Sequence, residues 1–395
     1  MCPSETAAPG GPSPSDPGPG PGQGDPAAAH AGAILTIDLD ALADNYRRLC
    51  AELNGVPCAA VVKADGYGLG LTRVAPALFR AGARSFFVAQ LGEAIALRGA
   101  LPEAAQIYVL NGLAAGPAAE LPAQRVVPVL NSLGEVADWR AAARQGAHQA
   151  QHELAAALHL DTGISRLGLP AGELDTLVAE PERLEGIELS HVMSHLACAD
   201  APEHPLNAAQ LAEFRAARAR LPAAPASLAN SSGIFLGPDY HFDLGRPGVA
   251  LYGINPTPGR PNPMRQVVRL QGKILQVREI DAPRTVGYGA THRAAGPTRV
   301  ATVAVGYADG YLRSLSNRGS AWLGNQRVPV VGRVSMDLIT LDVTGARPDS
   351  AHPGALVDLI GPELPVDDVA EAAGTIGYEI LTALGQRYHR VYLGG

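Results

Sequence analysis

Short apolar runs alternate with longer helix-forming stretches through the first two thirds of the chain. The runs are "AAVVKA" (59–64), "SFFVA" (85–89), "QIYVL" (106–110), "VVPVL" (126–130), "ALHLD" (157–161), "IELSHVMSH" (187–195), "PASLAN" (225–230) and "GVALYG" (248–253). Between them lie segments such as "LTRVAPALFRAGA", "SLGEVADWRAAARQG" and "NAAQLAEFRAARARL". Near-continuous apolar strands separated by amphipathic helices predict a parallel sheet covered by helices. Eight runs from Ala59 to Gly253 match the number a (β/α)8 barrel requires, and about 200 residues suffice to build one. An earlier run, "ILTIDL" (34–39), stands apart from the eight.

After Gly253 the texture changes. "NPTPGRPNP" (255–263) reads as a linker. The segments beyond it, among them "VVRLQGKILQVREI" and "SAWLGNQRVPVVGRVSMDLITLDV", are Val-rich and often alternating, with Gly, Pro and Asn at the turns. They predict a mainly antiparallel β domain, with one helix at "VDDVAEAAGT" (366–375). The expected organisation is a barrel over 33–254 and a β domain over 255–395. Residues 1–32, with "PGGPSPSDPGPGPGQG", carry almost no large apolar side chain and are expected to be a disordered tail. With neither a basic start nor an apolar centre, they do not read as a secretory signal.

Composition narrows the classes. The chain has 395 residues, 47% of them apolar, and a net charge of −7. Scattered charges of both signs suggest no nucleic-acid partner, and no apolar run approaches the ~20 residues that cross a bilayer. Cys2, Cys50, Cys58 and Cys198 have no metal-ligand spacing. They read as reduced core residues of a cytoplasmic protein with no metal site.

The lysines change the picture most. Lys63 and Lys273 are the only two, so arginine supplies nearly all of the 31 basic residues. Lys63 ends an apolar run and is followed by three glycines, in "VVKADGYGLG". Arginine stays protonated, whereas a lysine amine can lose its proton and bind a carbonyl carbon covalently. In a parallel barrel, chemistry sits at the C-terminal strand ends. Those ends carry Lys63, Arg166 in "LDTGISRLG", His195 in "MSHLACAD", Asn230, Ser231 and Ser232 in "ANSSG", and Arg246 and Gly248 in "DLGRPGVALYG". An amine, small hydroxyls, backbone N–H groups and arginines together suit a phosphorylated aldehyde. Singly, each has a plainer reading as a loop, core or ion-paired residue; it is their convergence on one face that points to a site.

These motifs, followed by "VGYADGY", "GRVSMD" and "IGYEIL", resemble in order those of the bacterial alanine racemases, over about residues 33–395. The resemblance implies a pyridoxal-phosphate (PLP) enzyme, a barrel followed by a β domain, acting as a cytoplasmic homodimer on alanine, whose D-alanine goes to peptidoglycan precursors or whose activity serves alanine catabolism. It implies that Lys63 carries the cofactor and that Lys63 and Tyr307 are the two catalytic bases. It places Tyr67, Ser231, Gly248, Val249 and Tyr378 at the phosphate and Asn230 beside them. Arg246, supported by His195, faces the pyridine nitrogen. Arg166 lies near the cofactor hydroxyl and the substrate carboxylate, Met336 and Asp337 line the substrate side, and Arg333 lines the access path. An arginine at the ring nitrogen is only a donor, which disfavours protonation there and so disfavours transamination. In a homodimer, Tyr307 would act on the partner's cofactor. One departure stands out. Where the family often has a carbamate-bearing lysine, this chain has His159, so the anion that normally anchors Arg166 is absent, replaced by a bound ion, or supplied elsewhere.

Three rivals differ in substrate or chemistry. A racemase of broader range, taking serine for example, differs in pocket size. A PLP-dependent decarboxylase of the same architecture generally uses a cysteine in the β domain, and no cysteine follows Cys198. A non-enzymatic PLP carrier would not need Tyr307 and Tyr378.

Overall fold

The computed structural model describes residues 26–113, 121, 124–146 and 154–395. Seven parallel strands form one sheet in sequence order: β2 (Ala60–Val61), β3 (Ser85–Val88), β4 (Gln106–Val109), β5 (Val126–Leu130), β6 (Leu154–His159), β7 (Ile187–Met193) and β8 (Ala226–Ser227). Their side chains are mostly buried, as expected of strands covered on both faces.

The eighth place of the barrel is not filled by "GVALYG". Residues Val249–Tyr252 form a 3-10 turn instead. Pro247 before it has no N–H to give a ladder, and Gly253 closes it in the left-handed region (φ 88°). The eighth place is taken by the extended segment just upstream. Asp243 and Arg246 donate to Ala226 and Ala229 on one side, while Ala59 and Val61 donate to Gly245 and Pro247 on the other. The ring is closed by these bonds.

The early run set apart from the eight lies outside the barrel, which corrects the expected start at residue 33. β1 (Ala33–Asp38) pairs antiparallel with β9 (Val268–Ile280) and parallel with β17 (His389–Leu393). Five of its six residues are buried, so it fits a central place in the second sheet. That sheet has eight strands. β14 (Gln326–Pro329), β13 (Ser320–Leu323), β16 (Leu356–Ile360), β9, β1 and β17 follow in order, and β12 (Thr298–Val303) pairs with both β9 and β15 (Ile339–Asp342). Every pairing but β1 with β17 is antiparallel. β10 (Thr285–Val286) and β11 (His292–Arg293) form a separate ribbon.

Helix Leu39–Glu52 links the two units. Asp38 caps it by accepting from the Ala41 N–H (2.8 Å). Its buried Asn45 donates to the carbonyls of Leu251 and Arg265 and accepts from the Arg265 N–H. One hydrophobic core runs through both units. Helix Val366–Ala373 forms as expected, and a second, Gly377–Ala383, follows it from the "IGYEIL" motif.

The tail expectation divides. Residues 1–25 lie outside the described residues, but 26–32 are ordered against β9, which corrects the disorder expected there. Pro26–His30 form a short helix, Lys273 Nζ donates to the Ala29 carbonyl (2.7 Å), and the Lys273 N–H donates to Gly32 (2.8 Å). Among the described residues, no helix is long and apolar enough to cross a membrane.

Candidate active site

Lys63 follows β2 and begins a turn of the wrong hand. Ala64, Asp65, Gly66 and Tyr67 all have φ between 54° and 63°, and Gly68 follows at 81°. Left-handed backbone costs ~1–2 kcal/mol for each residue with a Cβ, and three of the four have one. Such strain persists only where the surroundings over-determine it. Here they do. Glu93 Oε1 accepts from the Ala64 N–H (2.6 Å), and Asp65 Oδ1 accepts from the Leu71 N–H (2.7 Å). Tyr67 stacks on the buried Tyr252, with ring centroids 4.5 Å apart. From β17, Arg390 donates to the Gly68 carbonyl (2.7 Å) and Tyr392 to the Leu69 carbonyl (2.9 Å). A Cβ on Gly68 would lie 2.5 Å from the Leu381 carbonyl oxygen. The β domain is thus pressed against the lysine turn of its own chain.

Beside this turn a cavity of about 580 Å³ opens at the strand ends. Arg166, His195, Asn230, Ser232 and Tyr378 line it. Tyr378 stands on helix Gly377–Ala383, its ring 6.1 Å from that of Tyr67. Arg166 stands on a loop folded around Asp161, whose Oδ1 accepts from the N–H groups of Gly163, Ile164 and Ser165. Burial and the Arg166 charge hold the Lys63 amine below its ordinary range, while Glu93 opposes them. A larger share of the amine is therefore neutral at a given pH, as a base or nucleophile requires.

The donors fit a phosphorylated pyridine aldehyde. Buried Ser231 gathers the N–H groups of Gly248 (2.9 Å) and Ala250 (3.2 Å) on its Oγ. A Cβ on Gly248 would collide with Tyr67 Oη, so glycine leaves the tyrosine hydroxyl room beside the Gly248–Val249 backbone. Burial pushes the phenols of Tyr67 and Tyr378 up, Tyr378 to about 12, so both stay hydrogen-bond donors near neutral pH. Hydroxyls and backbone N–H groups suit a phosphate. Arg246 is buried, and donates to Ser227 Oγ and the Ser194 carbonyl. Burial lowers it to about 10, which leaves it a cation at pH 7. His195 is pushed well below its usual value by burial and by Arg246, and so stays neutral. Asn230 serves the backbone, accepting from the Gly233 N–H (2.9 Å). It braces the serine loop through that bond.

His159 is buried, and its Nδ1 lies 2.8 Å from Asn131 Oδ1. Asn131 Nδ2 already donates to the carbonyls of Leu110 and Val129. Its Oδ1 must therefore accept, so His159 carries its proton on Nδ1. Burial and Arg246 hold His159 at about 4. At the position of the lysine in the family pattern the chain thus places a neutral imidazole.

The remaining expected residues lie outside this cavity. Tyr307 begins the turn Tyr307–Asp309, and is 42% exposed. Its N–H donates to the Ser335 carbonyl, and that of Ala308 to Met336. Met336 is 55% exposed, and Asp337 is paired with Arg387 (2.7 Å). Arg387 also holds Asp309 (2.6 Å), whose other oxygen accepts from the Gly306 N–H. Arg333 lines a separate cavity of about 630 Å³ within the β domain, which holds none of the barrel's groups. The sequence reading passed over Glu93, Asn131, Asp309 and Arg387. Of these only Asp309 sits inside a quoted motif; the others act by reaching across the fold.

Profiles of the alanine racemase N-terminal and C-terminal domains match residues 37–256 and 267–392. The chain is 54% identical over 367 residues to the catabolic alanine racemase of Mesorhizobium japonicum, covering 93% of this chain and 95% of that one. It is 55% identical over 366 residues to the alanine racemase of Rhodospirillum rubrum, covering 92% and 96%. Among solved structures, the alanine racemase of Bartonella henselae with covalently bound pyridoxal phosphate superposes with a TM-score of 0.88 at 42% identity, covering 92% of this chain and all of that one. That of Streptomyces coelicolor gives 0.87 at 35%, covering 93% of this chain and all of that one. With both domains matched and a lysine, a cationic donor and a phosphate cradle at one barrel mouth, the chain belongs to the alanine racemase family.

Proposed function

We propose that this protein interconverts L-alanine and D-alanine on a pyridoxal phosphate carried by Lys63, in an active site completed by Tyr307 of the partner subunit. One observation carries the second half of this reading. The Lys63 turn is held by residues of its own chain, whereas Tyr307 and Met336 form an exposed face outside the cavity that Arg166, His195 and Tyr378 line. A two-fold symmetric pairing would bring that face over a neighbour's cavity and repeat the same contact twice.

When bound, the cofactor supplies a covalent tether for the substrate amine and a sink for the electron pair left as Cα loses its proton. The rest falls to the chain. Tyr67, Ser231 and the Gly248–Val249 backbone hold the phosphate, with Tyr378 closing over it. Arg246 would donate to the ring nitrogen and, being a cation itself, would disfavour protonation there; His195, kept neutral, adds no charge. Arg166 binds the substrate carboxylate, with Asp337 and Met336 of the partner subunit shaping the substrate side and Arg333 the way in. Exchange of the α-proton between faces calls for one base on each side. Lys63 takes the D side and Tyr307 of the partner subunit the L side. We place the enzyme in the cytoplasm, where its D-alanine would serve wall precursors.

Two inactive variants test the shared site. Lys63→Ala and Tyr307→Phe chains, unfolded, mixed equally and refolded with PLP, should give about half heterodimers, each with one site of wild-type composition. Activity should return to roughly a quarter of wild type by that statistic. A mixture that stays inactive despite proven heterodimers would mean that each chain builds its own site. Circular dichroism with L-alanine, then L-serine, tests the substrate; faster racemisation of serine would replace alanine in this reading.

A further inference from the structure

Glu93 lies outside every motif that points to the chemistry, yet it touches the backbone on which Lys63 stands. Its Oε2 accepts from the N–H groups of Ala89 (2.8 Å) and Gln90 (3.1 Å), at the end of β3 and the start of helix Leu91–Ala100. That alone would cap the helix. Its Oε1 does something capping does not need: it reaches across to the Ala64 N–H at 2.6 Å. Ala64 is the first left-handed residue of the strained turn (φ 54°). On the other side of Lys63, the Val62 N–H donates to the Phe87 carbonyl of β3 (2.9 Å). The lysine is therefore bracketed by two bonds to one neighbouring strand and the loop that leaves it.

We propose that Glu93 is a positioning residue for Lys63: its carboxylate holds the left-handed turn that aims the amine and sets a negative charge opposite it. This rests on the reading of Lys63 as the cofactor-bearing amine. A carboxylate suits the task because both its oxygens accept. A glutamine offers one acceptor oxygen and turns an NH2 toward whichever N–H it leaves, so it cannot keep all three bonds. The charged groups that face Lys63 are Arg166, Glu93 and the titratable His195. Glu93 is the one among them that favours the protonated amine. Releasing the turn would let its strained residues relax and move the amine, and a shift of about 1 Å in a reacting group can cost on the order of 100-fold in rate.

The scarcity of lysine makes a direct test available. In the full-length chain freed of cofactor, Lys63, Lys273 and the amino terminus are the only amines that acetic anhydride can label, and peptide mapping separates them. The pH dependence of Lys63 labelling then reads that amine without any catalysis, with Lys273 as internal reference. Glu93→Gln should move the Lys63 profile to lower pH and leave that of Lys273 in place. In the holoenzyme the same variant should lose about tenfold in kcat with KM within about twofold, since the interaction bears on the reacting amine rather than on substrate binding. Glu93→Ala should lose more. Leu97→Val, which loosens the same helix without touching Ala64, should leave the labelling profile and kcat near wild type. Wild-type profiles and kcat in both Glu93 variants would overturn the proposal, and so would an equal shift in Leu97→Val. If a Lys63→Ala chain still binds PLP with its full visible absorbance, it is the reading of Lys63 that fails instead.

Discussion

The two turns that carry the proposed bases are built in opposite ways. The Lys63 turn is left-handed, with Gly66 and Tyr67 buried, and is held by partners drawn from three places: Glu93 on the helix after β3, the stacked Tyr252, and β17 of the β domain. The Tyr307 turn is short and right-handed except at its closing Gly310, and it is held by Asp309 with Arg387, by the Ser335–Met336 backbone and by the Gly385 N–H, which donates to the Asp309 carbonyl (2.9 Å). Its tyrosine faces outward. The difference shows where each needs precision. A lysine tethered to a cofactor must be fixed by its own chain before any partner arrives. A tyrosine that meets its target across an interface needs a firm base and a free upper face.

The sharpest test of this contrast separates binding from turnover. Lys63→Ala should lose both activity, by more than about 10³-fold, and the visible absorbance of bound PLP. Tyr307→Phe should lose racemisation by about 10²–10⁴-fold, equally in both directions because each turnover needs both bases, yet keep that absorbance. Absorbance lost from Tyr307→Phe would mean that the two turns are not independent.

A second test strikes the brace. Gly68→Ala puts a Cβ on a residue at φ 81° and against the Leu381 carbonyl. Destabilisation of about 2–4 kcal/mol is expected, read as a lower urea midpoint together with weaker PLP retention. An equally destabilising change far from the Lys63 turn should lower the midpoint without the loss of cofactor.

Acid should also tell the two regions apart. His159 and His191 are both held at about 4, by burial and by Arg246. A base whose folded value is depressed binds its proton more readily when unfolded. Stability is therefore full above pH 6.5 and declines as pH falls from 6.5 towards 4, on the order of 2 kcal/mol for His159 alone. Urea midpoints at pH 7 and pH 5 should show the decline, and His159→Asn should flatten it. The Tyr307 turn, held by carboxylate–arginine pairs, has no such group.

The smallest effect is expected at Arg387. Its pair with Asp337 lies at the surface, while that with Asp309 holds a buried carboxylate whose other oxygen keeps the Gly306 N–H, and the variant Arg387→Ala should lower the urea midpoint only slightly. It should lower kcat with PLP absorbance unchanged, because only the base of the Tyr307 turn is loosened. A change confined to PLP binding would assign Arg387 to the wrong turn.

Much of this was legible in the chain, for physical reasons that differ by element. Seven barrel strands announced themselves as apolar runs between helical stretches, since burial on both faces leaves no alternation to hide them. Lys63 stood out because arginine fills nearly every other cationic position. "GVALYG" misled because an apolar run of that length reads the same as a buried turn; Pro247 upstream was the clue that the ladder ended sooner. β1 could not be placed, because pairing between residues 34 and 389 leaves no local trace. Glu93 and Asn131 stayed hidden for the same reason: each looks like an ordinary polar residue until the fold brings its partner near.

The position of β1 has a consequence for how the chain is made. This strand leaves the ribosome before the barrel, yet its two neighbours, β9 and β17, come after it. At ~5–20 residues per second, roughly 20–70 s separate the synthesis of β1 from that of β17. Through that interval the segment "ILTI" presents backbone edges with nothing to pair them, the kind of edge that recruits other nascent chains. Premature termination between Ile280 and His389 would release a finished barrel bearing a half-paired sheet. Quality control should meet such fragments as aggregates rather than as a partly active enzyme.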